Sequence, residues 1–328
     1  MDNISRLALR AVYTNTDSLP VSHVRSTKLM GGDASACVVG GAESVCEEMF
    51  EVAVHCENLW SRFIEDSDVS RLNLSAGKPV TVDELTVQLL EYAKEMFTLS
   101  EGSFNPTLLS EVADAGYTQS VRDRNVDAVL PAKPVKRLLS LEDIIIEGLK
   151  VTLPKNSGID FGGIAKGFTA DLMVRKAEAS GVVGAFAVVG GDGAVYGDAP
   201  NLGGWRIGVE NPFDKNDDKT GRGEHVDVVT LQTGEGIATS SVMKRRWGRG
   251  GNKTHHLINP VTGQSAETKV LTVTVIAENG AKAEALTKRG FFVPFDEYLT
   301  WLDTVNAVGF MVFEDGTTAY SKAWKNYR

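Results

Sequence analysis

The chain has little cysteine and no long apolar run. Among its 328 residues are three cysteines, Cys37, Cys46 and Cys56, and no two of them form a CxxC pair. This spacing suits neither a disulfide framework nor a zinc site, so buried free thiols are expected. There is no run of about 18 apolar residues that would span a membrane and no N-terminal stretch typical of a signal peptide. These absences predict a cytoplasmic protein that is not embedded in a membrane.

An excess of positive charge is also lacking. The chain carries 34 lysines and arginines against 43 acidic residues, a formal net charge of -9. Nucleic acids and anionic membranes attract a dominant positive field, so the surface as a whole is not predicted to bind either. An anion would have to be bound locally. One candidate is the cluster Lys244, Arg245, Arg246, Arg249 and Lys253, for which the alternative is a solvated basic loop.

Strand patterns dominate the chain, and helices are few. We predict strand, turn and strand over 26–41, later strands at 144–148, 149–154, 184–197, 204–213, 226–233 and 236–241, and further strands in HHLINP, VLTVTVIA and AVGFMVFEDG. Helices are predicted over 44–63, after Thr81 or Asp83, over about 15 residues that a glycine turn opens within 157–181, and in AKAEALTKRG. Segment 61–73 is predicted as polar turns and the C-terminus as a polar tail. The mixture predicts an α+β fold, with a polar lead-in at 1–25 and one domain at 26–328.

Glycine-rich segments supply candidate anion sites. In GIDFGGIAKGFTAD, residues 158–171, glycines directly before a helix would let backbone N–H groups meet an anion, with Lys166 adding a charged contact. The segment is neither a Walker loop nor a GxGxxG motif, and a glycine-rich helix start chosen for packing is the alternative. The turn in GGDGAVYG, residues 190–197, offers a second glycine-lined surface or an ordinary hairpin.

Two histidines occur together in HHLINPVTG, residues 255–263. Histidine exchanges a proton near neutral pH, so either could act as a general base. Strand alternation predicts that one of the pair is structural.

Nine segments, taken in order, resemble the ApbE family of flavin transferases, which bind FAD and transfer its FMN part to a threonine or serine of a target protein. The resemblance runs from about residue 28 to 315. The segments are MGG at 30–32, SRFIEDSDVSRLN at 61–73, EGSFNPT at 101–107, IDFGGIAKGFTAD at 159–171, VVGGDGAVYG at 188–197, GWRIGVENP at 204–212, IATSS at 237–241, HHLINPVTG at 255–263 and VIAENGAKAEALTKRGFFV at 275–293.

The resemblance implies a T-fold-like arrangement of mixed sheets and helices, with an FAD cleft between two subdomains. Met30 and its neighbours would pack on a ring of FAD, Lys166 would contact phosphate, Asp171 would bind a polar group of the nucleotide, and His256 would be the base. The implied FAD-binding set is Met30, Gly31, Asn105, Ala165, Lys166, Asp171, Gly190, Gly191, Asp192, Thr239, Ser240, His256, Glu284 and Lys288.

The predicted helix in AKAEALTKRG departs from the family pattern. The family holds magnesium with an aspartate and a threonine four residues apart and with an alanine carbonyl, at the positions of Glu284, Lys288 and Ala165 here. An ammonium group has no lone pair with which to bind a metal. We therefore expect Mg²⁺ not to bind and Lys288, paired with Glu284, to occupy the volume of the ion. The alternative is a shifted helix with a surface ion pair.

Three functions follow from this comparison. The main hypothesis is a non-catalytic protein that holds or sequesters FAD in the cytoplasm. The second is an active FAD:protein FMN transferase that modifies a flavoprotein target, and His256 supports it. The third, a flavin-dependent oxidoreductase, lacks an evident nicotinamide site.

Overall fold

The computed structural model of the chain describes residues 20–328, except for 76, 121–122, 124, 132–134, 202, 215–223, 244–245 and 248–253. At 246–247 only the backbone is described. The predicted lead-in up to residue 19 and the side chains of the predicted basic cluster therefore lie outside the described part.

Fifteen strands occur in the described residues. In chain order they are β1 (Ser22–Leu29), β2 (Gly32–Val39), β3 (Val80–Thr81), β4 (Ile145–Glu147), β5 (Lys150–Thr152), β6 (Gly184–Val189), β7 (Asp192–Gly197), β8 (Trp205–Glu210), β9 (His225–Leu231), β10 (Gly236–Ser241), β11 (Arg246–Trp247), β12 (Thr254–His255), β13 (Val270–Ala277), β14 (Val308–Phe313) and β15 (Thr318–Tyr320).

Eight of these strands form one sheet in the order β1-β2-β6-β7-β10-β13-β14-β15. Every neighbouring pair is antiparallel. The small sheets are β3-β5-β4, the β8-β9 hairpin and the β11-β12 pair.

Seven α-helices lie in the described residues. They are α1 (Ser44–Trp60), α2 (Asp68–Leu74), α3 (Glu84–Leu99), α4 (Leu109–Asp114), α5 (Ala165–Ala179), α6 (Gly280–Leu286) and α7 (Phe295–Thr304). Short 3-10 helices lie at Arg289–Phe291, between α6 and α7, and at Lys322–Tyr327. Helices and strands are therefore mixed without a strict alternation, and the predicted α+β class is confirmed.

Several predicted segments differ in the structure. Segment 61–73 contains α2, because the Ser67 hydroxyl accepts a hydrogen bond from Ser70 N–H and caps a helix. The segment HHLINP adds only the two-residue strand β12. Helix α7 was not predicted, and the C-terminal tail is folded, with Trp324 fully buried. At the other end, β1 begins at Ser22, inside the predicted lead-in.

Alternation along the strands builds an apolar layer on each face of the large sheet. In β2, Ala36 and Val38 pack with residues of α1 and α5, while Cys37 and Val39 belong to a cluster with the β8-β9 hairpin. All eight residues of β13 are buried, as expected of a strand covered on both faces. The three cysteines are free and buried, as predicted.

Close contact with α5 sets the position of α6. A Cβ atom on Gly167 would lie 2.3 Å from the carbonyl oxygen of Gly280, so only glycine permits this approach. Beside it, the carboxylate of Asp171 accepts hydrogen bonds from the N–H groups of Gly280 and Ala281, at 2.7 and 2.9 Å. Asp171 thus caps α6, where the free N–H groups of a helix need acceptors.

Burial raises the pKa of Asp171 to about 7, although the N–H groups of Ala281 and Gly280 act in the opposite direction. In the unfolded chain the group titrates near its ordinary, lower value. The folded state therefore binds the proton more tightly, so the stability linked to Asp171 is complete below the ordinary aspartate pKa. It is lost as the pH rises through the folded value.

We predict that Asp171→Asn unfolds at a lower temperature than the unchanged chain, because one of the two N–H groups loses its acceptor. The difference should be larger at about pH 5 than at about pH 8, where the unchanged chain has lost the proton-linked part of its stability. Thermal unfolding at both pH values measures this. Glu178→Gln, an exposed change on the same helix, should show no such dependence. A difference that widens toward the higher pH would contradict the assignment.

Candidate FAD site

A large cavity opens where β7, β10, α5 and α6 meet the segments around 104 and 256. Its space, counted to the open mouth, is about 1080 Å³. We call it the main cavity. Its polar lining is Ser103, Asn105, Asp160, Lys166, Asp192, Thr239, Ser240, Ser241, His256, Glu284 and Lys288.

A second cavity of about 720 Å³ adjoins the first. The two share Tyr117, Asp160, Gly162 and Lys166 in their walls. We call it the side cavity. Its remaining walls are mostly apolar and aromatic, and they include Met30, Trp60, Phe63 and Phe161.

The structure brings most of the predicted site residues together. The main cavity contains Asn105, Lys166, Gly190, Asp192, Thr239, Ser240, His256, Glu284 and Lys288. The side cavity contains Met30, Gly31, Ala165 and, again, Lys166. Asp171 and Gly191 are not among the lining residues of either. Asp171, predicted as a nucleotide contact, instead has its carboxylate bound to the start of α6. The contacts of the other residues with FAD stay predictions.

Three elements meet at the ammonium group of Lys166. Lys166 lies in the first turn of α5 and donates to Asp192 at the start of β7 and to Glu284 of α6. Both carboxylates are nearly inaccessible to solvent, at 4% and 2% exposed. The other oxygen of Glu284 accepts from Gly167 N–H at 2.8 Å. The network ties the sheet and both helices together at the cavity wall.

Burial and charge act in opposite directions in this network. For Lys166 burial disfavours the charge, but Asp192 and Glu284 outweigh it and raise the pKa above the ordinary lysine value. Burial raises the pKa of Asp192, and Lys166 offsets this only in part. Burial would also raise the pKa of Glu284, yet Lys166, Lys288 and Gly167 N–H hold it below the ordinary value. Glu284 is thus the firmly ionised carboxylate of the two.

The ammonium of Lys288 lies at the cavity wall, one turn beyond Glu284. It donates to the carbonyl oxygen of Glu284 at 2.7 Å and to the hydroxyls of Ser240 and Thr287, each at 3.1 Å. The predicted pairing with Glu284 therefore takes a different form, because this contact is to the backbone, while the carboxylate binds Lys166. A surface ion pair is excluded, since Glu284 is 1% exposed.

The three family metal positions do not fit a divalent cation here. Mg²⁺ requires short, near-octahedral oxygen contacts. The carbonyl of Ala165 accepts the Thr169 hydroxyl at 2.7 Å, and both oxygens of Glu284 accept protein hydrogens. Lys288 offers a cation in place of a ligand.

The adjacent histidines occupy different environments. His255 is buried, and its Nε2 lies 3.1 Å from the carbonyl oxygen of Ala266. His256 is half-buried and lines the main cavity. Of the pair, His255 therefore lies in the interior and His256 lines the cavity, and the role of His256 as a base stays a prediction.

Asn105 lines the main cavity through a side chain that already supports the wall. Its amide nitrogen donates to the carbonyl of Leu138, and its oxygen accepts from the N–H and the hydroxyl of Thr107. This residue therefore shapes the cavity by holding two segments together.

Arg62 is a site residue that the sequence patterns did not single out. It is 3% exposed, lines the side cavity and packs against the rings of both Phe63 and Tyr117, with its guanidinium carbon 4.7 and 4.5 Å from their centroids. Its Nε atom pairs with Asp160 at 3.0 Å. Arg62 falls in the matched segment 61–73, but no motif rule gives that position a role.

Comparison with known proteins identifies the family. The model of the ApbE family matches residues 28–311, so the chain belongs to that family. The FAD:protein FMN transferase of Treponema pallidum is 29% identical over 273 residues, covering 76% of this chain and 72% of the relative. The transferase of the same name from Rhodobacter capsulatus is 29% identical over 215 residues, which span 65% of this chain but only 39% of that longer protein.

Solved structures support the fold. The crystal structure of the ApbE protein from Thermotoga maritima superposes with a TM-score of 0.78 at 24% identity, covering 94% of this chain and 99% of its own. At this identity the likeness establishes the fold alone. Among the residues described, no helix combines the length and apolarity needed to cross a membrane.

We predict that Lys166→Met lowers the free energy of unfolding by roughly 3 kcal/mol, because it leaves two buried carboxylates facing each other. Urea denaturation measures the change. Lys176→Met is the matched control on the same helix, since Lys176 pairs with Glu48 at 3.0 Å with both side chains well exposed. The control should cost less than about 1 kcal/mol. Equal losses in the two variants would show that the network does not hold the elements together.

Proposed function

We propose that the chain binds FAD across the main and side cavities and acts as an FAD:protein FMN transferase in the cytoplasm, with a flavoprotein as its target. Membership of the ApbE family and the names of its relatives support this function over simple FAD storage. The observation that carries the proposal is the position of His256, which lines the same cavity as the ammonium groups of Lys166 and Lys288.

The cavity has the groups that a phosphoryl-type transfer needs. The acceptor hydroxyl attacks the phosphorus of the FMN half, a new P–O bond forms, and the diphosphate P–O bond breaks so that AMP leaves with the electron pair. His256 takes the hydroxyl proton as general base. Lys166 and Lys288 offset the negative charge of the diphosphate, because such reactions depend on positioning and charge neutralisation.

The side cavity suits a planar ring of FAD. Met30, Trp60, Phe63 and Tyr117 line it and provide apolar and aromatic surface. The shared wall at Lys166 allows a ligand to extend from the side cavity to the charged groups of the main cavity. This arrangement matches a molecule that has a ring system joined to a diphosphate.

A non-catalytic FAD holder is the second candidate. The observation that favours it is Lys288, which stands at a family metal position and cannot be a ligand. If the transfer step required the ion, FAD would be bound and kept intact.

We expect the purified chain, given FAD and a library of threonine- and serine-containing peptides, to yield flavin-labelled peptide and AMP in equal amounts. Mass spectrometry of the peptides and chromatography of the nucleotides measure both products. Tight retention of FAD with neither product would favour the holder.

His256→Gln should lower peptide flavinylation by at least about a hundredfold, the range typical of removing a general base, while FAD still binds. Flavin fluorescence measures binding in the same samples. His225→Gln is the control, because His225 is exposed on β9 and is not among the lining residues of either cavity. Unchanged transfer in the His256 variant would remove the residue from the mechanism.

A further inference from the structure

We propose that fixed lysine charges hold the FAD diphosphate in this chain, with Lys288 in the role of the divalent cation, so that FAD binding needs no metal ion. The inference deepens the proposed function and rests on it for the identity of the ligand. It concerns the same cavity and assigns Lys288 as the residue that determines independence from metal.

The first support is the way in which Lys288 is held. Its ammonium donates to three oxygens, those of the Ser240 hydroxyl, the Glu284 carbonyl and the Thr287 hydroxyl, at 2.7–3.1 Å. Thr287 in turn donates to the carbonyl of Glu284 at 2.6 Å. A flexible side chain is thereby fixed at one point on the cavity wall, so its charge is in place before a ligand arrives.

The second support is where this point lies relative to α5. The Cε atom of Lys288 lies 3.2 Å from where a Cβ of Gly163 would be. Gly163 belongs to the glycine-rich turn that leads into α5, a helix of 15 residues. The ammonium is therefore next to a helix N-terminus, where N–H groups and the helix dipole also favour an anion. Both features act on the same ligand charge.

The third support is the charge balance of the site. Lys166 is opposed by the buried carboxylates of Asp192 and Glu284, which bind it directly. The hydrogen bonds from Lys288 to Ser240, Glu284 and Thr287 go to neutral groups, while its charge also acts to lower the pKa of the Asp192 and Glu284 carboxylates. A diphosphate in the main cavity would thus meet an ammonium that these three hydrogen bonds do not pair with a carboxylate. A divalent ion at the same place would meet the ammonium at short range, where like charges repel strongly.

The oxygens at the family metal positions also accept hydrogen bonds from the protein already. The two oxygens of Glu284 accept from Lys166 and Gly167 N–H, and the Ala165 carbonyl accepts from Thr169. An ion would compete with these hydrogen bonds for the same oxygens and would also require Lys288 to move. The fixed charge and the occupied acceptors lead to the same conclusion.

The test measures FAD affinity by flavin fluorescence for the unchanged chain in Mg²⁺ and in EDTA. We expect the two dissociation constants to agree within about twofold. A loss of affinity in EDTA of about tenfold, which is ~1.4 kcal/mol, would overturn the inference. No FAD binding in either condition would overturn both the inference and the proposed function. Binding in EDTA without transfer to any peptide would support the inference and remove only the transferase activity.

Variants then test Lys288 itself. We expect the double change Lys288→Thr with Glu284→Asp to weaken FAD binding about tenfold in EDTA and to regain it in Mg²⁺, while Lys288→Arg keeps metal-independent binding. The matched control is Lys282→Thr on α6, because Lys282 pairs with Glu278 at 3.0 Å and is not among the cavity-lining residues. It should behave like the unchanged chain. Circular dichroism checks that each variant is folded. A folded double variant that binds FAD in EDTA as tightly as the unchanged chain would show that Lys288 does not supply the charge.

Discussion

The shared ammonium of Lys166 is the contact through which the sheet, α5 and α6 define the site. Its two carboxylate partners belong to β7 and α6 and are almost inaccessible to solvent. Neither carboxylate could remain charged in such a place without a cation, because desolvation of an unpaired charge costs on the order of several kcal/mol. The ion pairs of Lys166 offset the cost of burying the two carboxylates. They also hold in place the backbone of the elements that carry Ser240, Lys288 and the glycine turn at the cavity wall.

This arrangement explains how a family site can change its electrostatics and keep its shape. A threonine and an aspartate at positions 288 and 284 would present oxygens to an ion. Lysine and glutamate present one ammonium and a longer carboxylate that reaches across to Lys166. The apolar and aromatic walls of the side cavity do not include either of these two positions. Under the proposed function, the rings and the diphosphate of FAD would thus be recognised separately, by the side cavity and by the main cavity.

Much of the fold and of the candidate site could be predicted from the sequence, and the features that could not be predicted have physical causes. The glycine turns and the amphipathic helices α1 and α3 follow from local patterns, and the family motifs brought Lys166, Asp192, His256 and Glu284 to one site. The role of Asp171 could not be found in this way, because a carboxylate next to a phosphate-type loop and one that caps a distant helix look alike in sequence. Arg62 was missed for a related reason, because its place depends on a tertiary partner, Asp160. Helix α7 was missed although its local pattern is helical, since Tyr298, Leu299 and Leu302 recur at helical spacing after two acidic residues in the first turn.

The absence of a side chain at Gly167 has a consequence for how this site can diversify. The Gly280 carbonyl lies in the space that a Cβ of Gly167 would need, so α5 and α6 are in direct backbone contact. Neither helix can therefore move relative to the other to make room for a new group. Diversification must then proceed by exchanging side chains on a rigid frame. Positions 284 and 288, one helical turn apart, can then carry either the ligands of a metal ion or a lysine whose ammonium takes the place of the ion.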